Sequence, residues 1–420
     1  MINSIIKVST LLFGVAILLS GHGLQLAIVP LRAEQAGWTS IENGFLGSAY
    51  FAGFLIGCFL IPKLVSRSGH IRVFATLTSI MTAVILGLVL FEDYYYWLLL
   101  RLMAGIAISG LYLVVESWLN DQTKNEVRGG VLAIYTIVVL LALALGQLLL
   151  NIAPISDDRI IVLSAILITL AAIPICITRS AQPIEIPTAS FSPLLVIKTS
   201  RAAALGAFVA GLVTSAFYSL GPVYGIETGM DVRQISIMMA LGILGGAVSQ
   251  FPLGRYSDGK DRRVVLLAAM TAGAVVAFIS WLFKFDNAAF TMLFLGIFMM
   301  PIYALSLAQA SDNVENSSFL EVGTGLLVVN AVGSIIGPLV AAQGMQNFGP
   351  QSFFLFIAVV LVLGAVGTLF FIWSRVPDLE HFDEFNLATT ASAQGAIQMD
   401  PRAEDEENED SSDPPPTLVG

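Results

Sequence analysis

The stretch "RLMAGIAISGLYLVVESWLND" (residues 101–121) is an apolar run that carries charge. The apolar run from 97 to 119 is long enough to cross a bilayer as one helix, which takes about 20 residues. It keeps two ionisable residues, although each costs at least ~2.5 kcal/mol inside hydrocarbon. Because steps of three or four residues stay on one helix face, a single stripe holds Arg101, Gly105, Ser109, Tyr112 and Glu116. The stretch therefore predicts a membrane-spanning helix whose stripe faces either a water-filled cavity or a neighbouring helix.

Apolar segments of the same length recur along the chain. Of its 420 residues 56% are hydrophobic and 12% charged, with a mean hydropathy of +0.83, whereas a soluble domain is about 25% charged. Backbone polar groups in lipid must bond within their own segment, so we expect each segment to be a helix. The twelve predicted segments are 6–31, 40–62, 73–91, 97–119, 129–152, 159–178, 202–226, 233–254, 264–283, 287–310, 320–343 and 351–374. The sequence thus predicts an all-α polytopic membrane protein with twelve transmembrane helices.

The basic residues predict the orientation of these helices. With the N-terminus in the cytoplasm, fifteen of the 20 lysines and arginines fall in cytoplasmic segments and four in external loops, while Arg101 stays within a helix. This distribution follows the rule that cytoplasmic loops carry the excess of positive charge. We therefore expect both termini to be cytoplasmic and the protein to be integral to the plasma membrane, as in a bacterial inner membrane.

The C-terminal residues differ in composition from the rest. Residues 375–420 contain 12 acidic and 2 basic residues, including the run "EDEENEDSSDPPP". Such a segment has too little apolar surface to form a core, so we expect a disordered acidic tail in the cytoplasm. A solvated tail and a regulatory or partner-binding segment both fit this composition.

The twelve segments divide into two related halves. When the sequence is aligned with itself at an offset of 192 residues, matching residues coincide at Pro30 and Pro222, Gly37 and Gly229, Gly53 and Gly245, and Val73 and Val265. Duplicated halves that flank a site at the membrane midplane are a common transporter plan. We therefore predict two pseudo-symmetric six-helix bundles, 1–178 and 202–374, joined by a cytoplasmic loop, 179–201.

Four stretches, including the start of the one quoted above, carry a family resemblance. "GRYSDGKDRRVVL" (254–266) resembles the G-x-x-x-D-R-x-G-R-R loop motif of the major facilitator superfamily, and Gly259 and Asp261 depart from it. Its first-half counterpart, "PKLVSRSGHIRVF" (62–74), has Pro62 and Ser66 where the superfamily has Gly and Asp. "RLMAGIAISG" resembles the R-x-x-x-G pattern of the fourth helix. "GSIIGP" (333–338) resembles G-x-x-x-G-P, here in the eleventh segment.

The loop around residues 115–133 narrows the resemblance. "VESWLND" (115–121) followed by "NEVRGGVLA" (125–133) is similar to the YcaD-like branch of the superfamily, whose members are transporters without an assigned substrate. The resemblance implies the major facilitator fold. It also implies that helices 1, 4, 7 and 10 line a central cavity, with contributions from helices 2, 5, 8 and 11.

Polar residues in these segments are candidates for the cavity. Each is as compatible with a bridge between two helices as with contact to a solute. The candidates are His22, Gln25, Arg101, Ser109, Tyr112, Gln147, Ser215, Tyr218, Gln250, Tyr303, Gln309 and Asn330. His22 has the intrinsic pKa to carry protons near neutral pH, although a single membrane histidine can equally serve a structural role.

The resemblance also suggests a cytoplasmic gate. Its candidate residues are Arg67, Gly69, Arg72, Glu116, Arg128, Gly254, Asp258, Arg262 and Arg263. For Glu116 we expect pairing with Arg67, Arg72 or Arg128 in the gate rather than contact with the solute. By analogy with the superfamily, Asp258 should brace the start of helix 5, where its charge suits the positive helix N-terminus. The first half has uncharged Ser66 at the corresponding position, so its brace against helix 11 should be weak.

Other classes of protein are disfavoured. Residues 254–260 fit the start of a phosphate-binding G-x-x-x-x-G-K loop, but Asp261 follows where that loop needs Ser or Thr. The three histidines and two cysteines show no metal-ligating or hydrolytic pattern. We therefore expect no enzyme, no cofactor, no metal and no nucleic-acid partner.

The sequence as a whole favours a secondary active transporter that works by alternating access. Without nucleotide-binding residues its energy should come from an ion gradient, with a proton as the expected ion. A monomer that binds an anionic or polyhydroxylated small solute fits the candidate residues. An exporter of amphipathic drugs, and a membrane sensor that has lost transport and signals through the tail, are the alternatives.

Overall fold

The computed structural model describes residues 2–123, 127–177, 193–283, 287–312 and 319–374, which form helices and turns without a β-strand. The fourteen α-helices of this part are α1 (Ile2–Gln35), α2 (Ser40–Ser68), α3 (His70–Gly87), α4 (Tyr94–Gln122), α5 (Arg128–Leu148), α6 (Arg159–Ile177), α7 (Pro193–Thr199), α8 (Arg201–Glu227), α9 (Val232–Ser257), α10 (Arg262–Phe283), α11 (Ala288–Met299), α12 (Ile302–Ser311), α13 (Phe319–Phe348) and α14 (Ser352–Ser374). The predicted acidic tail lies outside the described residues.

The helices coincide with the predicted segments. Eleven spans are long and apolar enough to cross a membrane, and α6 contributes a shorter apolar helix, Arg159–Ile175. Each of the twelve predicted segments contains a helix, and several helices extend beyond the predicted ends, whereas α3 ends at Gly87, four residues before the predicted end at 91. The all-α polytopic architecture is confirmed.

Two details differ from the sequence prediction. The predicted span 287–310 consists of two helices, α11 and α12, which meet at Pro301. Proline has no N–H to donate, and its ring displaces the carbonyl four residues earlier, so it kinks or interrupts a helix. The second difference is the seven-residue helix α7, which lies in the predicted loop 179–201.

The internal repeat is visible in the turns that begin α2 and α9. Gly37 and Gly229 have φ angles of 80° and 81°, a region that glycine adopts without steric cost. A reciprocal capping box follows each glycine, in which the side chain of Thr39 or Asp231 bonds the backbone N–H three residues later. Both pairs are separated by 192 residues, so the offset found in the sequence is a repeat of local structure.

The same repeat appears where helices cross. A Cβ atom on Gly53 would overlap the carbonyl oxygen of Leu102, and one on Gly245 would overlap that of Leu293. These contacts bring α2 against α4 and α9 against α11 at backbone distance, which only glycine allows. The two halves of the chain therefore repeat the same helix pairing.

The helices form two bundles that meet in the middle of the protein. In the N-terminal half, α1 contacts α5 and α6, and in the C-terminal half α8 contacts α13 and α14. Between the halves α2 contacts α13, and α5 contacts α9. We call the end with the α2–α3 and α9–α10 loops (66–72 and 258–263) the basic end, and the end with turns 36–39 and 228–231 the opposite end.

Candidate solute cavity and gates

A small cavity lies between the two halves near their centre. Its volume is about 50 Å³, room for only a few water molecules. Helices α1, α2, α4 and α5 of one half and α8 and α13 of the other supply its walls. The lining residues are His22, Leu26, Tyr50, Phe51, Phe54, Tyr112, Leu143, Thr214, Tyr218, Leu327, Asn330, Ala331 and Ser334. The cavity is thus mainly aromatic and aliphatic, with a few polar groups.

Four of the twelve candidate cavity residues line this space, namely His22, Tyr112, Tyr218 and Asn330. The other eight are not among its lining residues in this conformation: Gln25, Arg101, Ser109, Gln147, Ser215, Gln250, Tyr303 and Gln309. All eight are buried. Sequence reasoning did not select Tyr50, Phe51 and Phe54, because the sequence does not distinguish an aromatic side chain that faces lipid from one that lines a cavity. The hydroxyl of Tyr50 was the available signal, since a buried hydroxyl needs a partner.

Four side chains from three helices form a polar chain beside the cavity. The hydroxyl of Tyr50 on α2 lies 2.9 Å from Nε2 of His22 on α1. Nδ1 of His22 lies 3.3 Å from Oε1 of Gln25. The guanidinium of Arg101 on α4 lies 4.4 Å from the centre of the Tyr50 ring, and its Nε lies 3.4 Å from the carbonyl oxygen of Leu46. Arg101 is thereby separated from the cavity by the Tyr50 ring that it stacks on.

Two amide side chains connect corresponding pairs of helices in the two halves, but at different levels. Nδ2 of Asn330 on α13 donates to the carbonyl oxygen of Ala207 on α8 at 2.9 Å. Nε2 of Gln147 on α5 donates to the carbonyl oxygen of Gly23 on α1 at the same distance. Each contact ties a cavity helix, α8 or α1, to a helix that meets the other half, α13 or α5.

Two candidate hydroxyls bond to their own helix. Oγ of Ser109 donates to the carbonyl oxygen of Ile106, and Oγ of Ser215 donates to that of Leu212. Ser109 is also so close to Gly57 on α2 that any side chain at Gly57 would collide with it. These contacts support the interpretation of the α4 stripe as helix packing at Gly105 and Ser109.

Glu116 lies deep in the N-terminal half and is fully buried. The hydroxyl of Tyr135 on α5 donates to its Oε1 at 3.0 Å. One residue further along α4, Oγ of Ser117 lies 3.0 Å from Nε2 of His70 at the start of α3. Arg67 and Arg72, two of the expected partners of Glu116, are exposed. The described contact therefore ties Glu116 to α5.

The arginines of the loop motif 254–266 hold the C-terminal half together at the basic end. Arg262 is fully buried, with Nη2 3.5 Å from Asp258 and Nε 3.3 Å from Asp312 at the end of α12. Arg263 bonds Asp261 at 2.8 Å and donates to the carbonyl oxygen of Phe371 on α14 at 3.3 Å. The motif thus joins α9, α10, α12 and α14.

Each of the two loops at the basic end contains a glycine with a positive φ angle. Gly69 has a φ angle of 82° and Gly259 one of 67°, so each allows a turn that other residues rarely adopt. Gly254 is buried within the last turns of α9. In the first half, Oγ of Ser66 donates to the carbonyl oxygen of Lys63 on its own helix at 3.0 Å.

At the opposite end, polar contacts join the two halves. Ser40 on α2 donates to Glu227 on α8 at 2.5 Å, and Ser48 donates to the carbonyl oxygen of Ile335 on α13 at 2.6 Å. Nδ2 of Asn151 donates to Oγ of Ser236 at the start of α9 at 2.7 Å. From the sequence we expect helices 2 and 11 and helices 5 and 8 to meet at the cytoplasmic gate, but it does not identify these contacts at the opposite end.

Backbone packing closes the same end more tightly. A Cβ atom on Gly44 would lie 2.6 Å from Cβ of Ala342 and 2.8 Å from the carbonyl oxygen of Pro338, both on α13. In the loop between α5 and α6, Asp157 accepts hydrogen bonds from Arg159, and these bonds lower the pKa of the Asp157 carboxyl group. In the sequence, the small residues at positions 44, 47 and 48 of α2 indicate a close contact with another helix.

Comparisons with known proteins agree with this architecture. A family model described as Major Facilitator Superfamily matches residues 11–326 and 203–402. The MFS-type transporter YcaD of Salmonella newport (strain SL254), itself described as uncharacterized, is 29% identical over 357 residues, which are 84% of this chain and 92% of that protein. The MFS-type transporter Ent638_1421 of Enterobacter sp. (strain 638), also described as uncharacterized, is 30% identical over 347 residues, 80% and 90% of the two chains. The crystal structure of the nucleoside transporter NupG has a TM-score of 0.72 at 11% identity and covers 86% of this chain and 98% of its own, which shows a shared fold.

Proposed function

The chain belongs to the major facilitator superfamily and is an integral membrane transporter, and on that premise we propose that it moves a small solute by alternating access, driven by a proton gradient. The central cavity is the solute site in this proposal. The basic end faces the cytoplasm, as the distribution of lysine and arginine predicts, and both termini lie there. The protein works as a monomer in the plasma membrane of a bacterium.

One observation carries this proposal. The cavity has walls from both halves, and contacts between the halves, at Gly44 and Ser48 on α2 and at Asn151, close the opposite end. A solute in this cavity can therefore leave through the opposite end only if the two halves separate there. Because the cavity now has room for only a few water molecules, the halves must also move apart to admit a solute from either side.

His22 is the proposed proton site. Histidine is the side chain whose unperturbed pKa lies nearest to neutral pH. His22 borders the cavity and lies 2.9 Å from the Tyr50 hydroxyl, so its protonation state is coupled to a side chain of the solute site. With a proton on both ring nitrogens, Nε2–H would donate to the Tyr50 hydroxyl oxygen, and the hydroxyl proton would need another acceptor. Protonation of His22 would therefore reverse this hydrogen bond and redirect the Tyr50 hydroxyl proton toward the cavity.

The gate at the basic end is the second element of the proposal. Asp258 braces the start of α5 in the closed state of this end, and the uncharged Ser66 gives no equivalent support on the other side. The half-exposed position of Asp258 at the C-terminal end of α9 supports this role, because its carboxylate is accessible to a partner on the facing half. Arg262 holds the carboxylate in place at 3.5 Å.

Distances between spin labels test alternating access. One pair, at Lys63 and Arg255, spans the basic end, and a second pair, at Gln35 and Arg233, spans the opposite end; all four residues are exposed. The distances are measured in lipid nanodiscs at pH 5.5 and at pH 8. Between these two pH values, one distance should lengthen and the other should shorten. Two distances that stay constant, or that grow and shrink together, would reject the mechanism.

Two controls make this experiment specific. A label pair within the N-terminal half, at Gln35 and Arg159, should keep its distance at both pH values, because a half moves as one body. The substitution His22→Gln should abolish the pH response of the two test pairs and leave both conformations accessible. A full pH response in His22→Gln would remove His22 from the coupling step but leave alternating access intact.

A further inference from the structure

Arg101 is a buried cation without an anion beside it. Its side chain is 5% exposed, and within the described residues no carboxylate oxygen lies within 4 Å of its nitrogen atoms. The guanidinium touches the ring of Tyr50 and the carbonyl oxygen of Leu46, and Nη1 has no hydrogen-bond partner there. Its positive charge is thus met only by a ring face and a backbone dipole.

The other buried arginines lie beside carboxylates. Of the three arginines that the described part of the chain buries, Arg262 lies beside Asp258 and Asp312, and Arg263 lies beside Asp261. Burial of an ion is unfavourable unless a counter-charge and hydrogen bonds compensate it. In a membrane protein, an uncompensated ionisable residue inside the bilayer marks a functional site by default. The exception at Arg101 therefore calls for a partner that the protein itself does not supply.

Two more buried polar atoms lack an acceptor in the described part of the chain. One is Nε2 of Gln25, on the amide that contacts His22, which in turn contacts the Tyr50 ring that covers Arg101. The other is the hydroxyl of Tyr112, which borders the cavity about 16 Å further along α4 than Arg101. Nη1 of Arg101 and Nε2 of Gln25 can only donate. Arg101 and Gln25 therefore lack an acceptor, and for Arg101 that acceptor has to carry negative charge.

We propose that the transported solute carries an oxyanion, a carboxylate or a phosphate, whose charge is compensated by Arg101 and which also accepts a hydrogen bond from Gln25. The inference rests on the proposed transport function and names the chemical class of its solute. Guanidinium groups bind carboxylate and phosphate oxygens through paired hydrogen bonds, which suits both anions.

Tyr50 controls access to Arg101 in this proposal. One face of its ring covers the guanidinium at 4.4 Å, and the residue also borders the cavity. The anion reaches Arg101 when Tyr50 turns aside and gives up its contact with His22. Arrival of the solute charge is thereby linked to His22, the proposed proton site.

The first test uses the ligand-free protein. Arg101→Met removes the charge and keeps an unbranched apolar side chain, so the purified variant should melt at the same temperature as the original protein or higher. If Arg101 instead served only to hold Tyr50 and Leu46 in place, the variant would melt at a lower temperature. Arg159→Met, which removes an exposed arginine, is the matched control and should leave the melting temperature unchanged.

The second test uses matched sets of small molecules. The probes are monocarboxylates of two to seven carbons and phosphomonoesters, each compared with its uncharged amide or alcohol and with the corresponding amine. At least one anion should raise the melting temperature of the original protein and of Arg159→Met, while its uncharged and cationic counterparts should not. The carboxylate and phosphate arms then show which oxyanion the site prefers.

The variants connect this selectivity to the named residues. Arg101→Met should lose the stabilisation by anions, and Arg101→Lys should retain part of it with at least tenfold weaker apparent affinity, because an ammonium lacks the paired donors. Gln25→Met should weaken it several-fold. The inference is overturned if Arg101→Met lowers the melting temperature without ligand, if anions stabilise Arg101→Met fully, or if only neutral or cationic probes stabilise the protein. Each of these outcomes leaves the spin-label test of alternating access untouched, so failure of the anion site is distinguishable from failure of the transport function.

Discussion

The glycine contact at the opposite end provides a direct test of how the halves close. Gly44→Ala adds one methyl group that would lie 2.6 Å from Cβ of Ala342 and 2.8 Å from the carbonyl oxygen of Pro338. Carbon atoms pack at about 3.5–4.0 Å, so α2 and α13 must separate by about 1 Å to admit it. Neither neighbour is the flexible end of a long side chain, and the strain therefore falls on the contact between the halves.

The size of the effect follows from the cost of overpacking. Extra atoms in a well-packed site cost typically about 1–3 kcal/mol, and each 1.4 kcal/mol changes a population ratio tenfold. Gly44→Ala should thus shift the equilibrium away from the conformation described here by about 5- to 150-fold. The contact is absent when the opposite end is open, so the strain disappears in that state.

The assay is the distance between spin labels at Gln35 and Arg233. In Gly44→Ala the distribution should move to longer distances, with the pair at Lys63 and Arg255 moving to shorter ones. The matched control is Gly344→Ala on α13, where the added methyl would meet Ser352 at an ordinary 3.4 Å, and it should behave like the original protein. An unchanged distribution in Gly44→Ala would refute the idea that this contact closes the opposite end.

Three other predictions follow from the charges at the basic end. Asp312→Asn should destabilise the protein by about 3–5 kcal/mol because it leaves the fully buried Arg262 with a weaker counter-charge, and thermal unfolding against an Asp93→Asn surface control measures this. Asp258→Asn should open the basic end, as reported by the labels at Lys63 and Arg255, whereas Ser66→Ala should change little; equal opening by both variants would contradict the asymmetric gate. Single cysteines on the predicted cytoplasmic side should be shielded from an impermeant thiol reagent in intact cells and one on the external side should react, and labelling of the first set would overturn the orientation. Their positions are Lys63, Arg128 and Lys260 for the shielded set and Asp286 for the reactive one.

The helices and their repeat could be read from the sequence because local rules determine them. Apolar length decides where a span lies, and glycine at positions 37 and 229 decides where the chain turns. These features depend on neighbours in the chain, and they would hold whichever way the helices were arranged.

The lining of the cavity could not be read in the same way. Polar side chains in lipid satisfy their hydrogen bonds wherever an acceptor lies, and for Gln147 that acceptor is the carbonyl oxygen of Gly23, 124 residues away. Arg101 is predicted to face a cavity or a neighbouring helix, and in the structure the ring of Tyr50 from α2 covers its guanidinium. Which face of a helix meets the cavity depends on its rotation against its neighbours, and hydropathy does not encode that rotation.

The amide of Gln147 and that of Asn330 have a mechanical consequence. Each fastens a helix that borders the cavity to a helix that bears on the other half, since α1 is tied to α5 and α8 to α13. In the proposed mechanism, a solute that displaces α1 or α8 would therefore also displace α5 or α13, the helices that carry the contacts α5–α9 and α2–α13 between the halves. Each amide would then act as a linkage between the solute site and the surface where the two halves meet.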